Sequence, residues 1–271
     1  MTISDPMRAF AEKLPSGWQL LPFDAMLSEP VRNGIYKTKE FHGRGALVVN
    51  MGELFGFDFI SNQEMKRVEL TTDEAKKSSL KDGDLLFARR SLVFEGAGKC
   101  SLVVNPSETI TFESSIIRAR PNRKVAEPRF LFYLFYSSLG RSIVASIATR
   151  TAVSGIRGSD LSQVGLPLPP LPVQRKIAGI LSAYDELIEN SQRRIKVLES
   201  MARSLYREWF VSLRFPDHEK VKLVPSLLGD IPKGWEVKKL GELLKLNYGK
   251  ALKKEDRLDG TFPVYGSSGI V

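Results

Sequence analysis

The chain has 271 residues and a formal net charge of +9. Its length allows one large domain or two small ones, and its basic balance favours an anionic partner, most often nucleic acid. Its one cysteine, Cys100, excludes an intramolecular disulfide bond, and with only two histidines a structural zinc site is not expected either. We therefore expect no metal and no cofactor.

Residues 1–13 form a charged lead-in that lacks the apolar core of a signal peptide. The most apolar stretch, residues 130–136, is far shorter than the roughly 20 residues that cross a membrane. These features predict a cytoplasmic protein with no membrane partner.

Residues 14–166 contain short runs of strand-forming residues bounded by Gly, Asn and Pro. The predicted strands cover residues 46–50, 65–70, 84–89, 100–104 and 110–119. One helix is predicted over residues 128–148. Because no βαβ repeat is visible, the strands should be antiparallel or mixed. We predict an α+β fold, in which this mixed α/β domain is followed by a long α-helix.

The long helix is predicted by the segment 167–212, which opens with a proline-rich boundary. Pro172 can stand at a helix start, and residues 173–210 contain no further proline. Apolar residues then recur at alternating steps of four and three, as in a coiled coil. The predicted helix interface is Ile177, Leu181, Tyr184, Ile188, Ser191, Ile195, Leu198, Ala202, Leu205 and Trp209. Such a helix is about 57 Å long and needs a partner helix.

A polar linker, residues 213–230, follows the helix and precedes an internal repeat. The segment Pro15-Ser16-Gly17-Trp18 returns 217 residues later as Pro232-Lys233-Gly234-Trp235. This period is far too long for a solenoid. We expect residues 231–271 to be the incomplete start of a second domain like the first, with both tryptophans packing where their domains begin.

These motifs resemble the specificity subunit of a type I restriction–modification system. The resemblance rests on both Pro-x-Gly-Trp segments, on Gly83-Asp84-Leu85-Leu86, and on the proline-rich boundary with Gln174 and Ile177. Residues 248–250 and 263–269 resemble the start of a recognition domain. The family implies two target-recognition domains, each followed by a long helix, with the two helices paired as an antiparallel coiled coil. Val173 departs from the family, which usually has Glu there, and the chain contains neither a complete second domain nor a second helix.

A catalytic alternative comes from the loose Pro-Asp…Glu-x-Lys pattern of metal-dependent nucleases, present at Asp217, Glu236 and Lys238. Asp217, however, lies in the linker, and the first copy of the repeat has Gln19 in place of Glu236. The glycine-rich turn and the aromatic-flanked Asn or Asp of a methyltransferase are not visible. We therefore expect a non-catalytic chain, and the resemblance assigns methylation and cleavage to separate modification and restriction subunits.

Double-stranded DNA is the expected anionic partner. Arg and Lys neutralise phosphates, Arg also reads guanine edges, and hydroxyls or amides of glycine-rich loops approach phosphates closely. The candidate contacts that combine these features are Lys37, Lys39, Arg44, Arg89, Arg90, Lys99, Arg150, Thr151, Ser154 and Arg157. The alternative for each of them is a solvated basic surface, and the sequence does not distinguish contacts to bases from contacts to phosphates.

The resemblance implies a sequence-specific DNA recognition subunit that directs separate methyltransferase and restriction subunits to a bipartite target. The seam from Ile177 to Trp209 spans about 48 Å, or about 14 base pairs, which is compatible with half-sites about one helical turn apart. Two copies could pair about a two-fold axis near Ser191 as a homodimer. The alternatives are an inactive fragment of a disrupted or recombining gene and a scaffolding adaptor that joins the enzyme subunits without strong DNA binding.

Overall fold

The computed structural model describes residues 14–149, 154–247, 249, 252–258, 260, 262–266 and 269–270. The expected lead-in, residues 1–13, lies outside the described residues. The chain divides into two compact units, the first ending at Gln192 and the second beginning at Arg193. The division falls within the long helix.

The first unit contains twelve strands among its described residues. They are β1 (Gln19–Pro22), β2 (Leu27–Asn33), β3 (His42–Val49), β4 (Phe59–Ile60), β5 (Lys66–Val68), β6 (Leu85–Ala88), β7 (Arg90–Ser91), β8 (Cys100–Val103), β9 (Ile110–Phe112), β10 (Ile116–Pro121), β11 (Ser154–Gly155) and β12 (Gly165–Leu168). Its helices are α1 (Met51–Gly56), α2 (Thr72–Ser78), α3 (Pro128–Tyr136), α4 (Ser138–Ile147), α5 (Gly158–Gln163) and the start of α6 (Leu171–Tyr206).

A five-stranded sheet of order β2-β10-β6-β8-β4 forms the centre of the first unit. Its strands are antiparallel except for the parallel pair β8 and β4. A three-stranded sheet of order β5-β3-β9 and the short pairs β1-β12 and β7-β11 complete the unit. The predicted mixed α/β fold followed by a long helix is confirmed.

Both faces of the central sheet are buried, and β6 shows why its sequence is apolar throughout. Leu85 and Phe87 point into one hydrophobic core, while Leu86 and Ala88 point into a second core on the opposite face. Successive side chains of a strand alternate between faces, so a strand covered on both sides needs apolar residues at every position. In the first core the rings of Phe23, Phe87 and Phe135 meet edge to face.

The part of the first unit that precedes the long helix has its first and last strands side by side. Strand β1 pairs antiparallel with β12, Gln19 lying opposite Leu168. The turn before β1 is closed by a 3.0 Å hydrogen bond from the Trp18 amide to the Pro15 carbonyl. Gly17 has a φ of +83° in this turn, a conformation that favours glycine. The pairing brings the start of the domain beside the proline-rich boundary of the long helix.

The prediction of one helix over residues 128–148 is wrong, because the structure has two helices, α3 and α4, bent by 77°. Ser137 is extended between them, and its hydroxyl accepts a hydrogen bond from the Gly140 amide as an N-cap. The bend presses Gly140 against Leu134, whose carbonyl oxygen would lie 1.9 Å from an added Cβ. The predicted strand over residues 110–119 is likewise divided, into β9 and β10.

Within the described part of the chain, no single helix could cross a membrane by length and apolarity. The bent pair α3–α4 satisfies the same criterion only when its two helices are combined. Most of α3 is buried in the first core, since Phe130, Leu131, Phe132 and Phe135 are all buried there.

The long helix was predicted over residues 167–212, but it begins at Leu171 because residues 165–168 form strand β12, and from there it agrees closely with the prediction. Helix α6 has 36 residues, and a π-helical turn of five residues, Arg207–Val211, extends it. Pro172 lies in its first turn, as expected from the tolerance of helix starts for proline. The pairing of this helix with a partner stays a prediction.

The second unit contains a hairpin of β13 (Leu223–Ser226) and β14 (Gly229–Pro232), a single-turn helix α7 (Leu240–Leu243), and a short pair, β15 (Tyr265–Gly266) and β16 (Gly269–Ile270). The repeated motif forms the same turn here as in the first unit. The Trp235 amide donates to the Pro232 carbonyl at 3.0 Å, and Gly234 has a φ of +98°.

The two copies of the repeat differ after this turn. Residues 19–22 form a paired strand, whereas residues 236–239 are not in a strand. Phe23 and Met26 are fully buried in the first unit, but Leu240 and Leu243, which stand 217 residues later, are exposed. The assignment of residues 231–271 to a second recognition domain therefore stays a prediction.

Candidate nucleic-acid interface

The loops that carry most of the candidate DNA contacts leave the central sheet at one end. The strand register places Phe87 opposite both Ile117 and Cys100, and Asn33 opposite Ile117. The chain therefore leaves β2 and β6, and enters β8 and β10, at this same end. We call it the basic end, defined by residues 34–44, 89–99 and 154–157.

The long helix is rooted near the opposite end of the sheet. There Leu27 of β2 lies opposite Pro121 of β10. The Gln174 side chain of α6 bonds to the backbone of Val125 and Glu127, in the segment between β10 and α3. The basic end thus projects away from the root of the helix, which leaves its loops accessible to a large ligand.

Three predicted arginines come together around one surface depression at the basic end. Arg90 lies opposite Gly155 in the β7-β11 pair, and the Ile156 amide donates to the Arg89 carbonyl at 3.0 Å. This pairing places Arg157 beside the other two arginines. The depression has a volume of about 300 Å³, and its lining is Arg89, Arg90, Thr149, Gly155, Ile156 and Arg157. No carboxylate is among these described lining residues, so the depression suits an anion.

Close backbone contact holds this arrangement together. A Cβ added to Gly155 would lie 2.7 Å from the Arg89 carbonyl oxygen, so only glycine allows β7 and β11 to approach this closely. The Arg89 side chain donates to the Ser114 carbonyl at 3.4 Å. Arg157 precedes α5, whose first residue, Gly158, packs against Val31 of β2. The arginines are therefore presented on ordered backbone.

Two of the predicted contacts near β3 are already paired with carboxylates. The Lys37 ammonium lies 2.8 Å from the Glu74 carboxylate, and the hydrogen bond between them lowers the pKa of Glu74. Arg44 donates to Glu69, and that hydrogen bond lowers the pKa of the Glu69 carboxyl and raises the pKa of the guanidinium. Both carboxylates compete with phosphate for these cations.

Lys99 has a role within the fold. Its ammonium donates to the carbonyls of Leu54 and Phe55, each at 3.0 Å, and lies 3.2 Å from the Asp58 carboxylate. These bonds satisfy carbonyls at the C-terminal end of α1, which a lysine commonly does.

The remaining predicted contacts differ in where they lie in the fold. Lys39 is exposed in a 3₁₀ turn, Lys39–Phe41, on the same loop as Lys37. Ser154 is buried in β11, where it supports the β7-β11 pair opposite Ser91. Arg150 and Thr151 lie outside the described residues.

Sequence reasoning missed an exposed apolar feature of the basic end. Leu92 and Val93 directly follow β7 and are 87% and 59% exposed. The sequence gives no periodic signal for them, because a two-residue strand is too short to show alternation. Arg32, the penultimate residue of β2, was also missed and is exposed at the same end.

A buried ionic network fixes the sheet near the root of the helix. Arg120 makes a bidentate contact with Asp84, at 2.7 and 2.8 Å, and also donates to Glu29. Asp84 is fully buried and accepts the Lys81 amide as well. Arg118 is buried beside this network, and its burial and the nearby Arg120 charge lower its pKa. These arginines serve the fold and not the candidate interface.

The predicted helix seam is largely exposed on α6. Ile177 packs partly against the first core, whereas Tyr184, Ile188, Ile195 and Leu198 are exposed, the last to 61%. Full burial of one such side chain would contribute roughly 1.5–3 kcal/mol of favourable free energy. The stripe therefore favours a partner.

The nuclease alternative gains no support from geometry. Asp217 pairs with Lys220 at 2.7 Å, and Glu236 pairs with Lys238 at 3.0 Å. Among the residues that the structure describes, no group of three or more His, Cys, Asp or Glu side chains could hold a metal ion.

Comparisons with known proteins identify a family. The profile described as the type I restriction modification DNA specificity domain matches residues 33–200. The chain is 30% identical over 216 residues to the type I restriction enzyme MjaIX specificity subunit of Methanocaldococcus jannaschii, covering 79% of this chain and 48% of that protein. It is 27% identical over 179 residues to the EcoKI specificity subunit of Escherichia coli, covering 64% and 38%.

A solved structure shares the fold. The crystal structure of a type I restriction–modification S subunit from M. genitalium superposes with a TM-score of 0.57 at 19% identity, over 96% of this chain and 63% of that one. The chain spans about half the length of the curated relatives that it matches first, 48% and 53%.

Proposed function

The chain belongs to the type I restriction modification DNA specificity domain family, and from that premise we propose that it is a DNA sequence-recognition subunit. In this role it binds double-stranded DNA and directs separate methyltransferase and restriction subunits to a target, without catalysing either reaction. These enzymes act on DNA in the cytoplasm, where we place the chain.

The observation that carries this proposal is the convergence of Arg89, Arg90 and Arg157 on one depression at the basic end. Three guanidinium groups from two separate parts of the chain lie on ordered backbone, away from the root of the helix. Arginine forks match the geometry of phosphate oxygens and of guanine edges. By contrast, Lys37, Arg44 and Lys99 are each paired with a carboxylate of the fold and contribute mainly to the local field.

The test is selection of duplex DNA from a random pool with the purified chain. We expect one sequence to be enriched, and binding to it should weaken steeply as salt rises. Replacing Arg90 and Arg157 with Ala should weaken binding and reduce the salt slope by about one per lost phosphate contact. Arg203, which is exposed on α6, provides the matched control. A chain that binds all duplexes equally, or not at all, would contradict the proposal.

We further propose that the helix seam is the interface with a second copy of the chain. Antiparallel pairing about a two-fold axis at the seam midpoint, near residue 193, places Ile188 opposite Leu198 and Ser191 opposite Ile195. It also places the large Tyr184 opposite the small Ala202, a complementary pair. The exposed apolar stripe on α6 supports this arrangement.

In the resulting dimer, each copy presents one basic end, and the paired helices separate the two ends. The target would then be bipartite and palindromic, because the two halves are read by identical domains. Changing Ser191 to Leu should alter the register or the assembly state, as the polar seam residue helps to set it. If the Ser191→Leu variant forms the same dimer with the same thermal stability as the parent, Ser191 does not set the register.

A further inference from the structure

Leu92 is an exposed leucine in the 89–99 loop of the basic end. It stands two residues after Arg90 and is 87% exposed, and Val93 beside it is 59% exposed. A single exposed leucine is ordinary on a protein surface. This one differs in its position, because it lies within a few residues of two arginines that line the depression.

The loop that carries Leu92 is fixed at several points. The buried Ser91 hydroxyl accepts the Val93 amide at 3.2 Å, and the Gly96 amide donates to the Val93 carbonyl at 3.1 Å. Arg141 of α4 donates to the carbonyls of Glu95 and Ala97. Because the backbone of this loop is already ordered, a ligand that buries an apolar side chain on it does not have to order the backbone as well.

Close packing holds the loop from the other side as well. A Cβ added to Gly96 would lie 2.3 Å from the Ser91 hydroxyl oxygen and 3.1 Å from the ring of Phe55. Gly98 is in turn pressed against Val144 and Ile156, with a φ of +66°. The loop that carries Leu92 is therefore packed against α1, α4 and Ile156.

We propose that Leu92 contacts the 5-methyl group of a thymine in the major groove and so helps to choose the DNA target. The inference rests on the proposed function and names a residue of the same interface. Thymine is the base whose major-groove edge carries a methyl group, and apolar side chains distinguish it from cytosine by contact with that group. Contacts of the arginines with the phosphates of the DNA fix the position of the loop on the duplex, and Leu92 then reads one base.

The test compares thymine with deoxyuridine, which keeps every hydrogen-bonding group and lacks only the methyl. The selected target is synthesised with each thymine replaced in turn, and binding of the parent chain is measured. We expect one replacement to weaken binding about fourfold, the effect of losing one buried methyl group. The Leu92→Ser variant should bind the two duplexes equally. Leu227→Ser, which changes a leucine that is 95% exposed in the second unit, should keep the parent's sensitivity.

The outcomes separate this inference from the function on which it rests. A parent chain that selects no sequence contradicts the proposed function. A parent chain that selects a sequence and tolerates every deoxyuridine, or whose target contains no thymine, overturns the role of Leu92 alone. The same holds if Leu92→Ser keeps the thymine preference while its circular dichroism spectrum matches that of the parent.

Discussion

Gln174 offers the sharpest test of how the recognition domain is joined to the long helix. Its side chain is 1% exposed and makes three hydrogen bonds. The carbonyl accepts the Glu127 amide at 2.8 Å, and the amide group donates to the carbonyls of Val125 at 3.1 Å and Pro169 at 2.8 Å. One side chain thus connects the segment after β10, the start of α3 and the proline-rich boundary.

Replacing Gln174 with Leu keeps the approximate volume and leaves one amide and two carbonyls without partners. A buried polar group left unsatisfied costs about 1–3 kcal/mol. Val125 is only partly buried, so its carbonyl can recruit water. We therefore expect the free energy of unfolding to fall by about 3 kcal/mol. Urea unfolding followed by circular dichroism measures the loss, and amide exchange at Glu127 should accelerate.

Replacing Gln174 with Glu keeps the acceptor and turns a carboxylate toward two carbonyl oxygens. Burial and the lost donors raise the pKa of that carboxyl in the folded state. The destabilisation should therefore be smallest below about pH 4.3, where the unfolded chain is protonated too, and grow as the pH rises toward neutrality. The exposed Gln192 on α6 is the matched control and should tolerate both changes within about 0.5 kcal/mol. Equal small effects at the two positions would refute the reasoning.

Three further predictions follow from other parts of the fold. Asp84→Ala should lower the free energy of unfolding by about 3 kcal/mol in urea, because it leaves the partly buried Arg120 charge without its bidentate partner and with Glu29 alone. Gly34→Ala should cost about 2–3 kcal/mol in the same assay, since its Cβ would lie 2.1 Å from the Phe112 carbonyl, whereas Gly52→Ala meets nothing within 4 Å and should be neutral or stabilising. Leu198→Asp should halve the mass found by light scattering, and Lys196→Asp, off the seam, should not; an unchanged mass for both would exclude the helix as the interface.

Much of the fold could be predicted because its signals are local. Strand β6 is apolar at every position, and this pattern indicates a strand buried on both faces. The long helix was visible from the prolines before it and from the seam period within it. The Pro-x-Gly-Trp segment was recognisable from the sequence as a repeat, and the structure closes a turn in both copies with the same hydrogen bond.

Other features depend on partners that are distant in the sequence. The break between α3 and α4 lies at Ser137, a residue that helices often contain, and it lets Phe135 of α3 and Val144 of α4 pack into the same core as strands far away in the sequence. The pairing of β1 with β12 joins residues almost 150 positions apart, so no local sequence pattern predicts it.

In the candidate interface, too, the sequence predicted the local features and missed the contacts between distant residues. The sequence indicated basic residues in glycine-rich loops, and three of them lie together at the depression. It could not show that Glu74 pairs with Lys37, or Glu69 with Arg44, because those carboxylates lie 37 and 25 residues further along the chain. Leu92 was missed for a different reason, because its significance lies in its neighbours and not in its type.

We infer that the basic end of this chain reads DNA for separate enzyme subunits. The most direct measurement is methylome sequencing of cells that express the chain together with its modification subunit. We predict a new methylated motif, bipartite and palindromic, that is lost when Arg89, Arg90 and Arg157 are replaced with Ala although the complex still assembles. A complex that assembles without producing a new motif, or a motif that survives the triple replacement, would contradict the account.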